Sequence, residues 1–316
     1  MHSAVKQTEG LLAPLPVKNG ITPSRVWLPL GPWRHMGQFL TERFEHVAEQ
    51  DLRHRLEQGD IVTSAGHAVH FHTPYQPNQW LWYYRYVPNE VVVPFEMPVL
   101  YADDGLIAVD KPHFLATTPG GQYLAQTALV RVRQHFNDAN ITPLHRLDRE
   151  TAGILLFCRQ PTLRGTYQRL FEQQAIHKEY EAIASANPTV SFPLLYKSRL
   201  EAPKGQFLMH EVAGEPNSQT HIAVAHSWHD ACLGPLSHYI LRPTTGRKHQ
   251  LRTHMLGLGT PILNDSYYPA GQPYLAPDDF SRPLQLLARS IAFIDPVTQQ
   301  PRRFVSRQRL ALQPQY

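Results

Sequence analysis

The chain is poor in cysteine, and it contains no long apolar run. Two cysteines occur in 316 residues, Cys158 and Cys232. That number excludes a disulfide framework and a multi-thiolate metal site, and it fits a reducing compartment. No stretch of about 18 consecutive apolar residues is present, so no membrane-spanning helix is expected. The opening residues, MHSAVKQTEG, lack the apolar core of a signal peptide, and a cytoplasmic protein is expected. Charged residues make up only 18%, with a formal net charge of +4, which permits a polyanionic partner without requiring one. HExxH, a Walker loop, GxGxxG and GxSxG are all missing. His249 and His254 are five apart, a poor spacing for joint metal ligation on a helix. His221 and His226 fall on opposite faces of a strand. An enzyme working without metal or nucleotide, or a binding protein, is left.

What is present suffices for a globular chain of one large domain or two, with hydrophobic residues at 42%. Residues 1–34 read as an irregular, Pro- and Gly-rich extension. Residues 35–94 read as a small module, with two short helices within 36–58 broken near Glu49–Asp51. A hairpin turning at Ala65–Gly66 and an aromatic strand over 79–87 follow. Residues 95–316 read as strands with interleaved helices. Strands are expected at 105–112 and 177–185, in an antiparallel pair 220–228 with 236–243, and within 284–296. Helices are expected at 124–136 and 162–174, and from Lys248 to Gly257 or Gly259.

Three segments carry candidate chemistry. PLHRLDRETAGILLF, residues 143–157, puts Asp148 between Arg146 and Arg149, just ahead of a buried-strand pattern. Cations near a carboxylate favour its ionised form, able to act as nucleophile or base, and they suit a phosphate backbone. An ordinary surface ion pair is the plain alternative for such a loop. TGRKHQLRTH starts a helix, whose free amides suit an anion; a solvated cationic helix start is the plain alternative. In Lys178-Glu179-Tyr180-Glu181, alternation places Lys178 and Tyr180 on one face. Tyr180 either packs in the core or stacks on a flat base.

Taken in order, VDKP, HRLDRETAG, the Lys-x-Tyr strand, TGRKHQLRTH, PILNDSYY and LLARSIAFIDP resemble the RluA family of RNA pseudouridine synthases. The resemblance covers roughly residues 96–305, and residues 36–87 look more loosely like the family's small RNA-binding module. Ala152 stands where the family often has Ser, and Asn264 where Gly is usual. The resemblance implies an α+β fold: a mixed, mostly antiparallel sheet with flanking helices and a central cleft, plus the small N-terminal module. It implies isomerisation of uridine in ribosomal RNA or tRNA, with bacterial large-subunit rRNA the first expectation. No cofactor and no metal are expected, and a monomer is.

By resemblance Asp148 is the catalytic aspartate, Arg252 pairs with it, and Tyr180 stacks on the target base with Leu251 packing nearby. Arg146 would fill the stack left by a flipped uridine. His145, Arg149, Arg247, Lys248 and Lys111 are expected around the substrate, the last four at phosphates or the pocket rim. Two other readings stand beside this one. The first is a non-catalytic RNA-binding or ribosome-assembly protein on the same fold. The second is a glycosidase, which needs a second acid; Asp110 is only an arithmetical candidate.

Overall fold

A computed structural model describes residues 12–272 and 276–314. The opening residues read above for a signal peptide lie outside them. The chain divides into two compact units, Met1–Pro88 and Asn89–Tyr316.

The first unit contains β1 (Ser24–Trp27), α1 (Met36–Arg43), α2 (Glu49–Glu57), β2 (Ile61–Thr63) and β3 (Trp80–Tyr83). The strands form an antiparallel sheet in the order β1-β3-β2. Phe39, Leu40, Leu52 and Leu56 recur at helical spacing and pack against Val26, Ile61 and Leu81. Three local expectations change. The irregular extension contains β1, which β3 recruits into the sheet. The helices break at 44–48, whereas Glu49 and Asp51 begin α2, where their charge suits the positive helix end. The expected hairpin keeps its turn at Gly66 (φ 81°) but closes with a single Val62–Ala68 bridge, because β2 takes β3 as its partner.

The second unit runs through β4 (Val99–Ala102), β5 (Leu106–Lys111), α3 (Ala128–Phe136), β6 (Thr142–Pro143), β7 (Ala152–Cys158) and α4 (Pro161–Glu172). It continues with β8 (His177–Ser185), β9 (Leu194–Glu201), β10 (His210–Val212), β11 (Ser218–Asp230) and β12 (Gly234–Pro243). It closes with α5 (Gln250–Gly257), β13 (Leu286–Ile294) and β14 (Pro301–Val305). One 11-stranded sheet is ordered β10-β9-β11-β12-β8-β13-β7-β5-β4, with β14 added to β13 and β6 to β7. Among these pairings β7–β13 is parallel and the rest antiparallel, so the α+β architecture holds.

Strand β7 is buried along its whole length, and its alternation divides two cores. Leu155 and Phe157 join Ile107, Val109 and Leu147 on one face. Ile154 and Leu156 join Leu106, Ala108 and Tyr167 on the other. The same alternation on β8 sends Tyr180, Ala182 and Ala184 to a core shared with Leu241, Leu251 and Met255. Thus β7, β13 and β8 lie side by side, with the Asp148 loop entering β7 and Tyr180 on β8. Among the described residues, no helix is long and apolar enough to cross a membrane.

Candidate active site

The loop before β7 is tied down almost residue by residue. Leu144 N–H donates to Leu156 O (2.9 Å), and Leu156 N–H donates back to His145 Nε2 (3.1 Å). The Thr117 hydroxyl donates to Leu147 O (2.7 Å) and accepts from Leu147 N–H (3.2 Å). Thr151 N–H closes a turn onto Asp148 O (3.1 Å). The Lys111 ammonium reaches Arg149 O (3.2 Å), and His113 Nδ1 donates to Glu150 O (2.6 Å). Burial pushes His113 down to about 4, so its ring is neutral near pH 7 and Nδ1 carries the proton given to that carbonyl.

Arg252 rises from α5 into this loop and is almost completely buried. Its guanidinium donates to both oxygens of Asp265 (2.7 and 2.5 Å), to Glu150 Oε2 (2.7 Å) and, more distantly, to Asp148 Oδ2 (3.4 Å). The plane lies over the Tyr267 ring at 4.7 Å. Burial alone would weaken its hold on the proton, but the bonds and charge of Asp265, with Glu150 and Asp148, raise that hold above a free guanidinium's. Ser266 donates to the other oxygen of Glu150. Asp148 is different: its side chain is 30% exposed, and its second contact is the His249 ring, 4.0 Å away. The carboxylate is therefore held on one side and open on the other.

Tyr180 is packed among apolar side chains, Leu251 included in its cluster. Burial raises its phenol, and the Asp148 charge raises it further, so it remains protonated at neutral pH. Tyr180 is thus a proton donor or stacking partner rather than a ready base. Burial likewise drives His249 down to about 4 against the pull of Asp148. Its Nδ1 faces the Tyr268 hydroxyl at 2.8 Å.

Asp148, Arg252, Tyr180 and Leu251 therefore converge, and Arg146, Arg247 and Lys248 are exposed. Among the described residues Arg146 has no hydrogen-bond or ion-pair partner. Other expectations change. Lys111 is not at a rim: it is fully buried, donating to Pro112 O (3.0 Å), Leu115 O (2.8 Å) and Arg149 O. His145 serves the β7 backbone and faces the Phe171 ring (5.2 Å); burial and Lys178 push it down to about 3. Arg149 lies over Tyr123 (5.1 Å) and Phe114 (5.5 Å) and reaches Pro277 O (3.4 Å). Gln250 turns inward, bracing Thr245, Arg247 N, Gln219 O and Thr220 at the helix start expected to take an anion. Asp110 is bound by Ser306, Arg307 N and Gln308, so it offers no second acid. Among the described residues, no group of three His, Cys, Asp or Glu is placed to hold a metal ion.

Glu150 and Asp265 were not singled out from the sequence, although both fall inside the quoted motifs. An arginine on an inward helix face requires carboxylate partners, and these two were the unassigned ones nearby in the motif set.

The fold is that of pseudouridylate synthases: human RNA pseudouridylate synthase domain containing 1 superposes with a TM-score of 0.54 at 20% identity, over 67% of this chain and 84% of that one. Residues 105–256 match the RNA pseudouridylate synthase family model. An uncharacterized RNA pseudouridine synthase of Synechocystis is 30% identical over 250 residues, covering 75% of this chain and 81% of the relative. The dual-specificity RNA pseudouridine synthase RluA of Pasteurella multocida is 30% identical over 220 residues, covering 65% and 90%. The chain belongs to the RluA family of RNA pseudouridine synthases, and it is an isomerase acting on RNA.

Proposed function

We propose that Asp148 carries out the isomerisation on a uridine flipped out of ribosomal RNA, large-subunit rRNA being the first expectation and tRNA the second. In this reaction the N1–C1′ bond breaks and a C5–C1′ bond forms; C5 loses its proton and N1 gains one. The observation that carries the assignment is the half-open carboxylate of Asp148 facing the fixed guanidinium of Arg252 at 3.4 Å. An ionised carboxylate can attack C1′, or take the C2′ proton on a glycal route. Tyr180 stacks on the base and offers its phenolic proton, while Leu251 closes the apolar wall. Arg146, exposed and unpaired among the described residues, enters the gap in the RNA stack, where a planar guanidinium substitutes for a base. Arg247 and Lys248 take phosphates.

The N-terminal unit binds RNA; its Arg25 lies over the rings of Trp80 (4.5 Å) and Trp82 (5.6 Å), a cation–aromatic pairing suited to nucleic acid. We place the protein in the cytoplasm, in keeping with its two free cysteines, and expect a monomer.

The test is tritium release from RNA labelled at uridine C5, together with pseudouridine mapping of rRNA and tRNA from a deletion strain. Asp148→Asn abolishes release while keeping the fold, and one mapped site disappears in the deletion. Normal release by Asp148→Asn overturns the role of Asp148. An unchanged map favours the RNA-binding or assembly reading.

A further inference from the structure

We propose that Phe207 is a stacking platform for the nucleobase adjacent to the uridine being isomerised, using the ring face that Lys248 does not cover, with the cations of Lys248 and of Arg247 before it serving the intervening phosphate. The proposal rests on the RNA-isomerising role of Asp148. Phe207 lies in the turn between β9 and β10 and is 55% exposed, a large apolar ring left in water. A singly exposed phenylalanine is common and by itself means little. This one is held in place, and it is held by the residues around Asp148.

Lys248 Nζ donates to the Phe207 carbonyl (2.6 Å) and sits 3.5 Å from the ring centroid. The ring meets His249 at 5.1 Å and Tyr267 at 5.3 Å, both at steep interplanar angles of 64° and 72°. Two residues on, the Tyr268 hydroxyl accepts from Met209 N–H (2.8 Å) and lies 3.2 Å from Met209 O. Two of these anchors, His249 and Tyr267, also reach the candidate catalytic centre. His249 Nε2 lies 4.0 Å from Asp148 Oδ1, and Tyr267 lies under Arg252. The exposed ring is therefore one side chain removed from the reacting carboxylate, on the scale of a neighbouring nucleotide.

The surrounding charge fits the same occupant. Lys248 stands over one face of the ring, leaving a base the other; Arg247 is exposed one residue before it, and Arg146 two residues before Asp148. An aromatic face next to cations matches what an unpaired RNA strand presents: a flat base, then a phosphate. Arg146 fills the flipped uridine's place for one neighbour; the other neighbour, drawn toward the pocket with the uridine, takes Phe207 as its surface.

The test uses the full chain and bulk RNA from the deletion strain, tritiated at uridine C5, in single-turnover reactions with enzyme in excess. Phe207→Ala is expected to raise the half-saturating enzyme concentration about tenfold, more than it lowers the saturated rate. Phe207→Trp keeps half-saturation near the wild-type value because it retains a π-face, and Phe207→Leu behaves like the alanine variant. Wild-type half-saturation in Phe207→Ala, or in Phe207→Leu, overturns the proposal, since a leucine preserves bulk but cannot stack. If the wild-type chain releases no tritium, the isomerase reading has failed instead. Filter retention of the same RNA then reads the platform directly, and equal retention by wild type and Phe207→Ala overturns it.

Discussion

Arg252 is bound more closely by Asp265 than by Asp148: both Asp265 oxygens accept from it within 2.7 Å, whereas Asp148 stands at 3.4 Å. The fork of the guanidinium is committed to Asp265, with Glu150 on a further N–H, and the plane is backed by Tyr267. The aspartate expected to react is thereby the loosest of the three carboxylates. A rigid cation facing a less constrained anion is the arrangement needed for positioning without immobilising the group that must approach substrate.

Asp265→Asn leaves a buried guanidinium without its bidentate partner. Breaking such a pair costs about 3–5 kcal/mol. Asp148→Asn, at a partly open site, costs under ~1 kcal/mol. Urea unfolding of the two variants compares them. Equal destabilisation would show that Asp148 shares the structural burden, against the geometry seen here.

Gly153 sits at φ 113°, where β7 begins its parallel pairing with β13. A Cβ there would stand 2.7 Å from the carbonyl carbon and 2.8 Å from the nitrogen of Ala288. Both are backbone atoms of a buried strand, so no rotamer change relieves the clash. Gly153→Ala is expected to lose at least ~3 kcal/mol of stability, or to yield insoluble protein. Thermal unfolding within a few degrees of wild type would mean that β13 shifts freely, contrary to this packing.

Elements with strong periodicity were legible before the structure. The strand expected at 177–185 is β8 residue for residue, and the helix expected at 162–174 differs from α4 only at its ends. The missed strands of the large sheet, β4, β6, β9, β10 and β14, lie near the ends of the strand order or off it, and owe their conformation to a partner more than to their own composition. PRRFV, for instance, has no apolar alternation and pairs only because β13 offers a free edge. Within the site, Asp148, Arg252 and Tyr180 were legible as an ordered motif set. Lys111 and His145 were assigned outward because charged and titratable side chains are rarely buried. What reversed those assignments was a set of carbonyls and one amide in neighbouring loops, which single-residue reasoning does not see. Glu150 and Asp265 were missed because their role is set by Arg252, 102 and 13 residues away.

Glu181 gives an acid-sensitive contribution on the sheet face opposite Tyr180. Burial raises its carboxyl, but the His238 ring, 3.3 Å away, and the bonds and charge of Arg289 outweigh that and bring it down to about 2. Both oxygens accept from Arg289, at 2.7 and 2.8 Å. The folded value lies below the ordinary 4.5, so the unfolded chain binds more protons between the two. This stability is fully present above about pH 4.5 and is lost as pH falls toward about 2. Glu181→Gln should therefore be less stable than wild type at pH 6, by roughly 3 kcal/mol. The gap should shrink steadily between pH 4.5 and the acid limit. A gap that stays constant over that range would exclude the titration.

Lys111 has the opposite signature, at the other end of the pH scale. Burial chiefly, with help from Arg149, lowers its ammonium from 10.5 to about 7, while Asp148 and Glu150 oppose the shift. Between about pH 7 and 10.5 the unfolded chain carries a proton that the folded chain has released, so stability rises with pH across that window. One such group contributes a slope of at most ~1.4 kcal/mol per pH unit. Lys111→Met abolishes this slope. It also removes three carbonyl contacts, to Pro112, Leu115 and Arg149, so its absolute stability changes as well, and the slope is the quantity that isolates the titration. Urea midpoints at pH 7, 8 and 9 should climb in the wild type relative to Lys111→Met. Parallel curves would mean that the buried amine keeps its proton throughout, held by Asp148 and Glu150 more strongly than burial disfavours it. The Asp148 loop would then rest on a permanent internal cation rather than on a neutral amine.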